Sequence, residues 1–338
     1  MTMTGTGGGG ALGPASTGNF FVCDIFDASP KDDLGTMEHP IFSLSTRPDR
    51  RILSYEHNAT TVQVTPSVRG RATIHDKDIL IYCISQLMAA LNAGRVISRT
   101  LQIKAHDLMV ATGRDTSGDG YARLREAFER LAGTRITTNM TTGGVEVTSG
   151  FGLIESWEIV RKSRGGRMVS VMVTLSEWLF RAVEAKAVLT LSREYFGLRK
   201  PLERRIYELA RKHCGRQPEW QIGLATLHKK AGSSAPLRVF RAAVRKTIAR
   251  GGLPDYEMHE DPGDLIVFQR AGVVLAPQER PHLKPETLAQ ARQIAPGADV
   301  YALEAQWQSW WAETGRPVLR NADHAFLGWL ASQQVTPD

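Results

Sequence analysis

The sequence predicts an α+β chain in which one small unit occurs twice in tandem, followed by a short helical extension. Three observations carry that expectation. From Thr100 the chain reads TLQIKAHDLMVATG and then YARLREAFERLAGTRI, and from Trp220 it reads WQIGLATLHKKAG and then PLRVFRAAVRKTIARGG. Ile103, Leu108 and Gly113 match Ile222, Leu227 and Gly232 at one constant offset. Each copy orders a short amphipathic helix ending at glycine, a turn, a longer amphipathic helix and strand-like sequence. That order is a helix-turn-helix with a β-wing, the tandem winged-helix arrangement, whose second helix can enter the major groove of duplex DNA.

Residues 1–36 are expected as a disordered tail. Residues 1–18 hold Gly, Thr and Ser with almost nothing apolar, too little to offset the entropy of ordering. Phe20, Phe21, Val22, Ile25 and Phe26 form an acidic-apolar patch that could dock on the body or on a partner. The first winged-helix domain is set at 37–193. It opens with short strands at Phe42 to Leu44, Arg51 to Tyr55 and Thr61 to Thr65, the last with apolar and polar residues alternating. Asp76 is placed to cap a helix whose stripe is Ile79, Cys83, Leu87 and Leu91, with Gly94 past its end. A strand at Leu101 to Ile103, helices at His106 to Ala111 and Tyr121 to Leu131, and a β-meander divided by GG turns complete it.

The second domain is set at 194–272. Its first helix spans Pro201 to Lys212, with proline in the first turn where it is tolerated. Helical sequence follows to Ala231 and from Leu237 to Arg250, then a hairpin, YEMHEDPGDLIVFQ, turning at DPGD. Residues 273–284 read as a linker, and 285–338 as a tryptophan-rich helical segment.

Net charge +7 and pI ≈ 9.4 favour a polyanionic partner. Cys23, Cys83 and Cys214 are too few and too scattered for a disulfide framework or a zinc site, as suits a reducing cytoplasm. No apolar run reaches the ~20 residues of a membrane span, and the N-terminus lacks a secretory pattern. No Lys follows Gly, so there is no phosphate loop; no His-x-His pair or spaced carboxylate pair marks a nuclease. A non-enzymatic chain without cofactor or metal is expected.

The sharpest binding signal is the helix from Leu237. Leu237, Phe240, Val244 and Ile248 would pack inward, while Arg238, Arg241 and Arg245 occupy another face beside Lys246 and Arg250. No acid interrupts it, so these cations are expected to project outward unpaired, toward guanine edges or phosphates. Ser233 and Ser234 would cap the helix and hold a phosphate at its N-terminus, and Lys229 and Lys230 would touch the backbone. A merely solvated basic face is the bland alternative; guanidiniums turned inward or neutralised by carboxylates from elsewhere would end the reading. Arg204 is a further backbone candidate. The equivalent helix of the first copy mixes Arg123, Arg125 and Arg130 with Glu126 and Glu129, and Arg125 and Glu129 stand at a pairing distance along it. It could contact backbone, read a second half-site or serve a homodimer. Arg164 and Arg167 flank a GG turn suited to a wing tip. Trp307, Trp310, Trp311, Phe326 and Trp329 are too many aromatics for so small a segment to bury alone. They would pack on the winged domains, anchor a partner or stack bases.

The stretches MEHPIFSLSTRPDRRILSYEHN, ITT…GFGLIESWEI, LTLSREYFGLRKPLERRIYELARKHCG, KPETLAQARQIAPG and DHAFLGWL, in that order, resemble the replication initiator protein A family of plasmid-encoded initiators. The resemblance runs from Met37 onward and leaves the Gly-rich start unmatched. It implies an origin-binding protein with two winged-helix domains that promotes opening of an AT-rich tract and helps bring in the host replicative helicase or its loader. On it, Arg238, Arg241 and Arg245 would read the origin repeats, and the tryptophan block would engage the helicase or loader. The expected function is plasmid replication initiation; the alternatives are an autoregulatory winged-helix repressor and a strand-nicking replication enzyme.

Overall fold

Much of the stretch expected as a tail is built into the fold. The computed structural model describes residues 20–25, 27–57, 60–142, 145–161, 168–215, 217–271, 281, 283–314, 319 and 321–333. Strand β1 (Phe21–Val22) pairs in parallel with Leu101 and Gln102. Strand β2 (Lys31–Asp33) and helix α1 (Leu34–Glu38) follow, with Asp32, Asp33 and Thr36 buried. Composition concealed this: Asp33 caps α1 through Thr36 N, but Asp32 is held by Lys77, far along the chain.

Strands β3 (Leu53–His57) and β4 (Thr60–Thr65) lead into α2 (Lys77–Asn92). The segment Phe42 to Leu44 forms only an isolated bridge, Ser43 to Thr73. Helix α2 is nearly all buried, Lys77 and Asp78 of its first turn included, and Gly94 after it takes φ +69° as a C-terminal glycine should. Its expected cap, Asp76, makes no capping bond; its carboxylate is taken by Thr73 and Arg130.

The first repeat then runs β5 (Thr100–Lys104), α3 (Ala105–Ala111) and α4 (Gly118–Gly133). An inserted hairpin, β6 (Arg135–Thr142) and β7 (Val145–Gly152), joins β3 and β4 in a sheet ordered β3-β4-β6-β7. The hairpin β8 (Ile154–Arg161) and β9 (Met168–Leu175) returns to β5, giving β1-β5-β9-β8. Helix α5 (Glu177–Glu184) and β10 (Val188–Thr190), the latter paired with β2, lead out of the copy.

The second repeat has the same plan. Helix α6 (Pro201–Cys214) precedes β11 (Glu219–Gly223), α7 (Leu224–Ala231), α8 (Leu237–Ile248) and the hairpin β12 (Tyr256–Asp261) and β13 (Leu265–Arg270). Its sheet order, β11-β13-β12, repeats β5-β9-β8. The offset seen in the sequence also holds for element starts: Thr100 and Glu219, Ala105 and Leu224, Gly118 and Leu237. Gly113 and Gly232 both turn at left-handed φ, +62° and +65°, where a side chain would be strained.

Two apolar cores fill this body. One gathers α2, α3, α4, α5 and both four-stranded sheets; the other gathers α6, α7, α8 and the three-stranded sheet, with Met37 and Ile81 contributed from α1 and α2. Buried charges stitch the two together. Lys77 of α2 lies 2.6 Å from Asp32 and 2.9 Å from Glu208 of α6, and Arg204 pairs with Asp78.

Residues 272–338 form a separate unit, with α9 (Pro285–Ile294), α10 (Val300–Glu313) and α11 (Ala322–Gln333). Its helices close on a core of their own, centred on Trp307 and Phe326.

Candidate nucleic-acid interface

Helix α8 meets the body through Phe240, Val244 and Thr247, which forces its remaining faces outward. Arg238, Arg245, Lys246 and Arg250 are exposed and Arg241 half-buried. The row projects as expected, but it is not uniformly free. Arg245 makes a two-pronged bond to Glu260 of β12 at 2.7 and 2.9 Å, and Arg241 pairs with Asp264 at 2.5 Å. The Arg245 guanidinium in turn holds the Glu260 carboxyl below the usual range. This corrects the sequence expectation of an unpaired row: helix α8 carries no acid, but its own wing supplies two. To reach a base or a phosphate, Arg241 and Arg245 would each have to leave that carboxylate. Arg238 and Lys246 have no ion-pair partner among the described residues, while Arg250 stands 3.7 Å from Glu203.

Around the start of α8, Lys229 is exposed at the end of α7. Lys230 is not available: it is 6% exposed and paired with Glu38 of α1. Lys212 of α6 also binds Glu38. Although burial works against it, those two ammonium groups bring the Glu38 carboxyl down to about 2. The serines do not cap. The cap position is Pro236, Ser233 Oγ accepts from Ala235 N at 3.3 Å, and Ser234 Oγ accepts from Arg51 at 3.2 Å.

Arg204 is likewise corrected. It is 2% exposed, with its guanidinium spent on Asp78 and the Leu198 and Phe196 carbonyls. A buried structural arginine and a DNA-facing one look alike on a helical wheel until the opposing helix is known.

On α4 the outward cations are matched by acids of the same copy. Arg123 pairs with Asp115 at 3.0 Å, and Arg125 pairs with Glu129 at 3.3 Å, as its spacing predicts. Arg130 binds Asp76 at 2.7 Å. Arg164 and Arg167 lie outside the described residues.

The aromatic block is mostly core. Trp307 and Phe326 are fully buried edge to face at 5.5 Å, and Trp311 is buried too. Three helices suffice to wrap two of these rings in the segment's own core, and not all five. Trp329 is half-buried, and Trp310, 46% exposed, is the aromatic of the set that still offers a surface.

Among the described residues no group of three or more His, Cys, Asp or Glu side chains is placed to hold a metal. The three cysteines are buried, and burial pushes the Cys83 thiol up to about 12, far from nucleophilic use. No described helix is long and apolar enough to cross a membrane.

The molecule thus belongs to the mixed α+β proteins, with a repeated helix–strand–helix–helix–hairpin unit and a cationic outer helix on the second copy. By sequence, the chain belongs to the replication initiator protein A family, whose profile matches residues 31–258. It is 38% identical over 256 residues, 74% of this chain and 93% of the relative, to a Wigglesworthia glossinidia brevipalpis protein described as "Putative replication protein". Among solved structures it is similar to domains 2 and 3 of RctB, with a TM-score of 0.53 and 11% identity, over 70% of this chain and 97% of that one. At that identity the likeness speaks for the fold alone.

Proposed function

We propose that this chain initiates replication of a plasmid by binding repeated origin sequences through two winged-helix modules, residues 37–193 and 194–272, without catalysis of its own. Membership of an initiator family supplies the process. One observation carries the binding mode: a unit ordered as a winged helix recurs at a constant offset, and its second copy turns Arg238 and Lys246 outward on the helix that such modules insert into the major groove. Arg241 and Arg245 then act beside the wing, exchanging carboxylates for phosphates as DNA arrives. The first copy contributes backbone contacts or a second half-site.

Binding energy from two modules would distort the duplex near a readily unpaired AT-rich tract. The unit beyond residue 272, with Trp310 outward, would meet the host helicase or its loader. The test is footprinting on DNA flanking the coding region, with permanganate to detect unpaired thymines. Protection of tandem repeats with reactive thymines beside them is expected. Protection without strand opening would leave a repressor, and nicked circles from supercoiled DNA with magnesium would make the protein an enzyme.

A further inference from the structure

The segment STRPDRR, residues 45–51, belongs to neither reading helix, yet it lies against the helix-turn-helix turns of both copies. Arg47 and Pro48 line a cleft of about 500 Å³ with Gly113, Asp115 and Arg123 of the first copy. Arg51 lines a second cleft, of about 380 Å³, with Lys229 and Gly232, and reaches Ser234 at 3.2 Å.

A second loop, residues 66–71, is locked to it. Arg71 N donates to the Asp49 carbonyl at 2.8 Å, its buried guanidinium binds the Asp49 carboxylate at 3.1 Å, and Arg50 Nε donates to the Val68 carbonyl at 3.0 Å. Gly70 sits at φ +95°, where a Cβ would come 3.1 Å from Asp49 N, so the loops touch backbone to backbone. On this rigid base the tips face solvent. Val68 in the second loop is 85% exposed and Ile52, the residue after the first, 58%; Arg47, Arg50, Arg51 and Arg69 are exposed too, with Arg69 paired to Glu129 of α4 at 3.2 Å. The one acid of the two loops, Asp49, is buried and held by Arg51 and Arg71. Two exposed apolar side chains in stretches whose other exposed charges are all cationic are more than a purely structural loop needs.

We infer that this double loop is a third DNA contact, entering the minor groove between the major-groove stretches faced by the two modules. The inference rests on the proposed DNA-binding reading. On one face of a duplex, successive major-groove openings are separated by a minor groove, too narrow for a helix but open to loop side chains. Its negative potential draws arginine, and apolar tips can lean on the sugars or wedge a base step apart. Such a wedge gives the mechanism a local point of unstacking.

The full chain is titrated by fluorescence anisotropy, over a salt series, with short duplexes of alternating dA–dT, dG–dC and dI–dC. The dI–dC pair carries the minor-groove face of A·T and the major-groove hydrogen-bond pattern of G·C. Wild type should bind dI–dC like dA–dT, and dG–dC several-fold more weakly. The Arg47→Ala/Arg50→Ala variant gives up the Arg50–Val68 bond but spares the Asp49 clamp. It should lose that ranking and lower the slope of log affinity on log salt by about 2. Ile52→Ser/Val68→Ser should lose the ranking but keep the slope. Wild type ranking dI–dC with dG–dC, or an arginine variant that melts normally with both ranking and slope unchanged, overturns the inference and leaves the two modules standing. Wild type that binds no duplex overturns both.

Discussion

Helices α4 and α8 hold equivalent places in one repeated plan, and they present different surfaces. Each buries one stripe, Leu124, Ala127, Phe128 and Leu131 in the first and Phe240, Val244 and Thr247 in the second. Outside that stripe, α4 answers its arginines with acids of its own copy, Asp115, Glu129 and Asp76. Helix α8 answers two of its cations from the wing and leaves Arg238 and Lys246 unanswered. The core constrains the backbone plan but not the outward positions, so surface charge is where two copies can divide labour. On the proposed DNA-binding reading, the second copy would have the stronger electrostatic grip.

The largest effects should come from the buried stripes. Phe128→Ala and Phe240→Ala each remove a ring that is at most 1% exposed, which costs about 3–5 kcal/mol in stability. Because Lys77, Asp32 and Glu208 join the two cores, both variants should shift one common urea transition. Two separate transitions would mean that the copies fold independently. Arg204→Ala strands the Asp78 carboxylate in the interior and should also cost about 3–5 kcal/mol, whereas Arg238→Ala should leave the urea midpoint alone.

Next in size is the affinity of α8. Arg238→Ala should weaken duplex binding by about 1–3 kcal/mol if the side chain meets a base edge. Asp264→Asn with Glu260→Gln should tighten it, since the freed Arg241 and Arg245 no longer exchange partners. Anisotropy titrations decide both. A weaker double variant would mean that the wing acids orient the arginines and do not compete for them.

A pH series separates the copies in another way. Burial holds His39 and His213, beside Glu38 at the foot of the second copy, and His75, near Arg114 of the first, at about 4. An ordinary histidine near 6.5 takes up its proton earlier, so the unfolded chain binds more protons between pH 6.5 and 4. Each histidine thus contributes stability present above pH 6.5 and lost as pH falls toward 4. Asp78, raised by burial to about 6, works with the opposite sign, so the informative readout is the variant against wild type. His213→Gln should melt with a shallower acid loss than wild type; an unchanged slope would remove this histidine from the account.

What could be read in advance was local. The glycine-ended helices, the stripe of α8 and the DPGD hairpin depend on neighbours a few residues away, and all three are present. What could not be read depended on distant partners. Asp32 looks like a residue of an acidic tail until Lys77 of α2 is placed on it, and Lys230 and Arg204 look like DNA-facing cations until Glu38 and Asp78 close on them. Glu260 and Asp264 stood in plain view in the hairpin sequence, but only wing register sets them against Arg245 and Arg241. Charge pattern located a basic helix and could not say which charges were already spent.

The smallest expected effect bears most directly on whether both copies touch DNA. In Arg123→Ala/Arg125→Ala the lost cations were already paired with Asp115 and Glu129, and in wild type each must leave its acid before meeting a phosphate. Exposed pairs of this kind are weak and screened by salt, so exchange is feasible but returns less than an unpaired cation does. Affinity should therefore fall a few-fold, less than for Arg238→Ala with Lys246→Ala, and the gap should narrow as salt rises. A loss equal to that of α8 would make the copies equivalent grips. No loss at any salt would take α4 off the duplex and leave its outward face for a second protein chain.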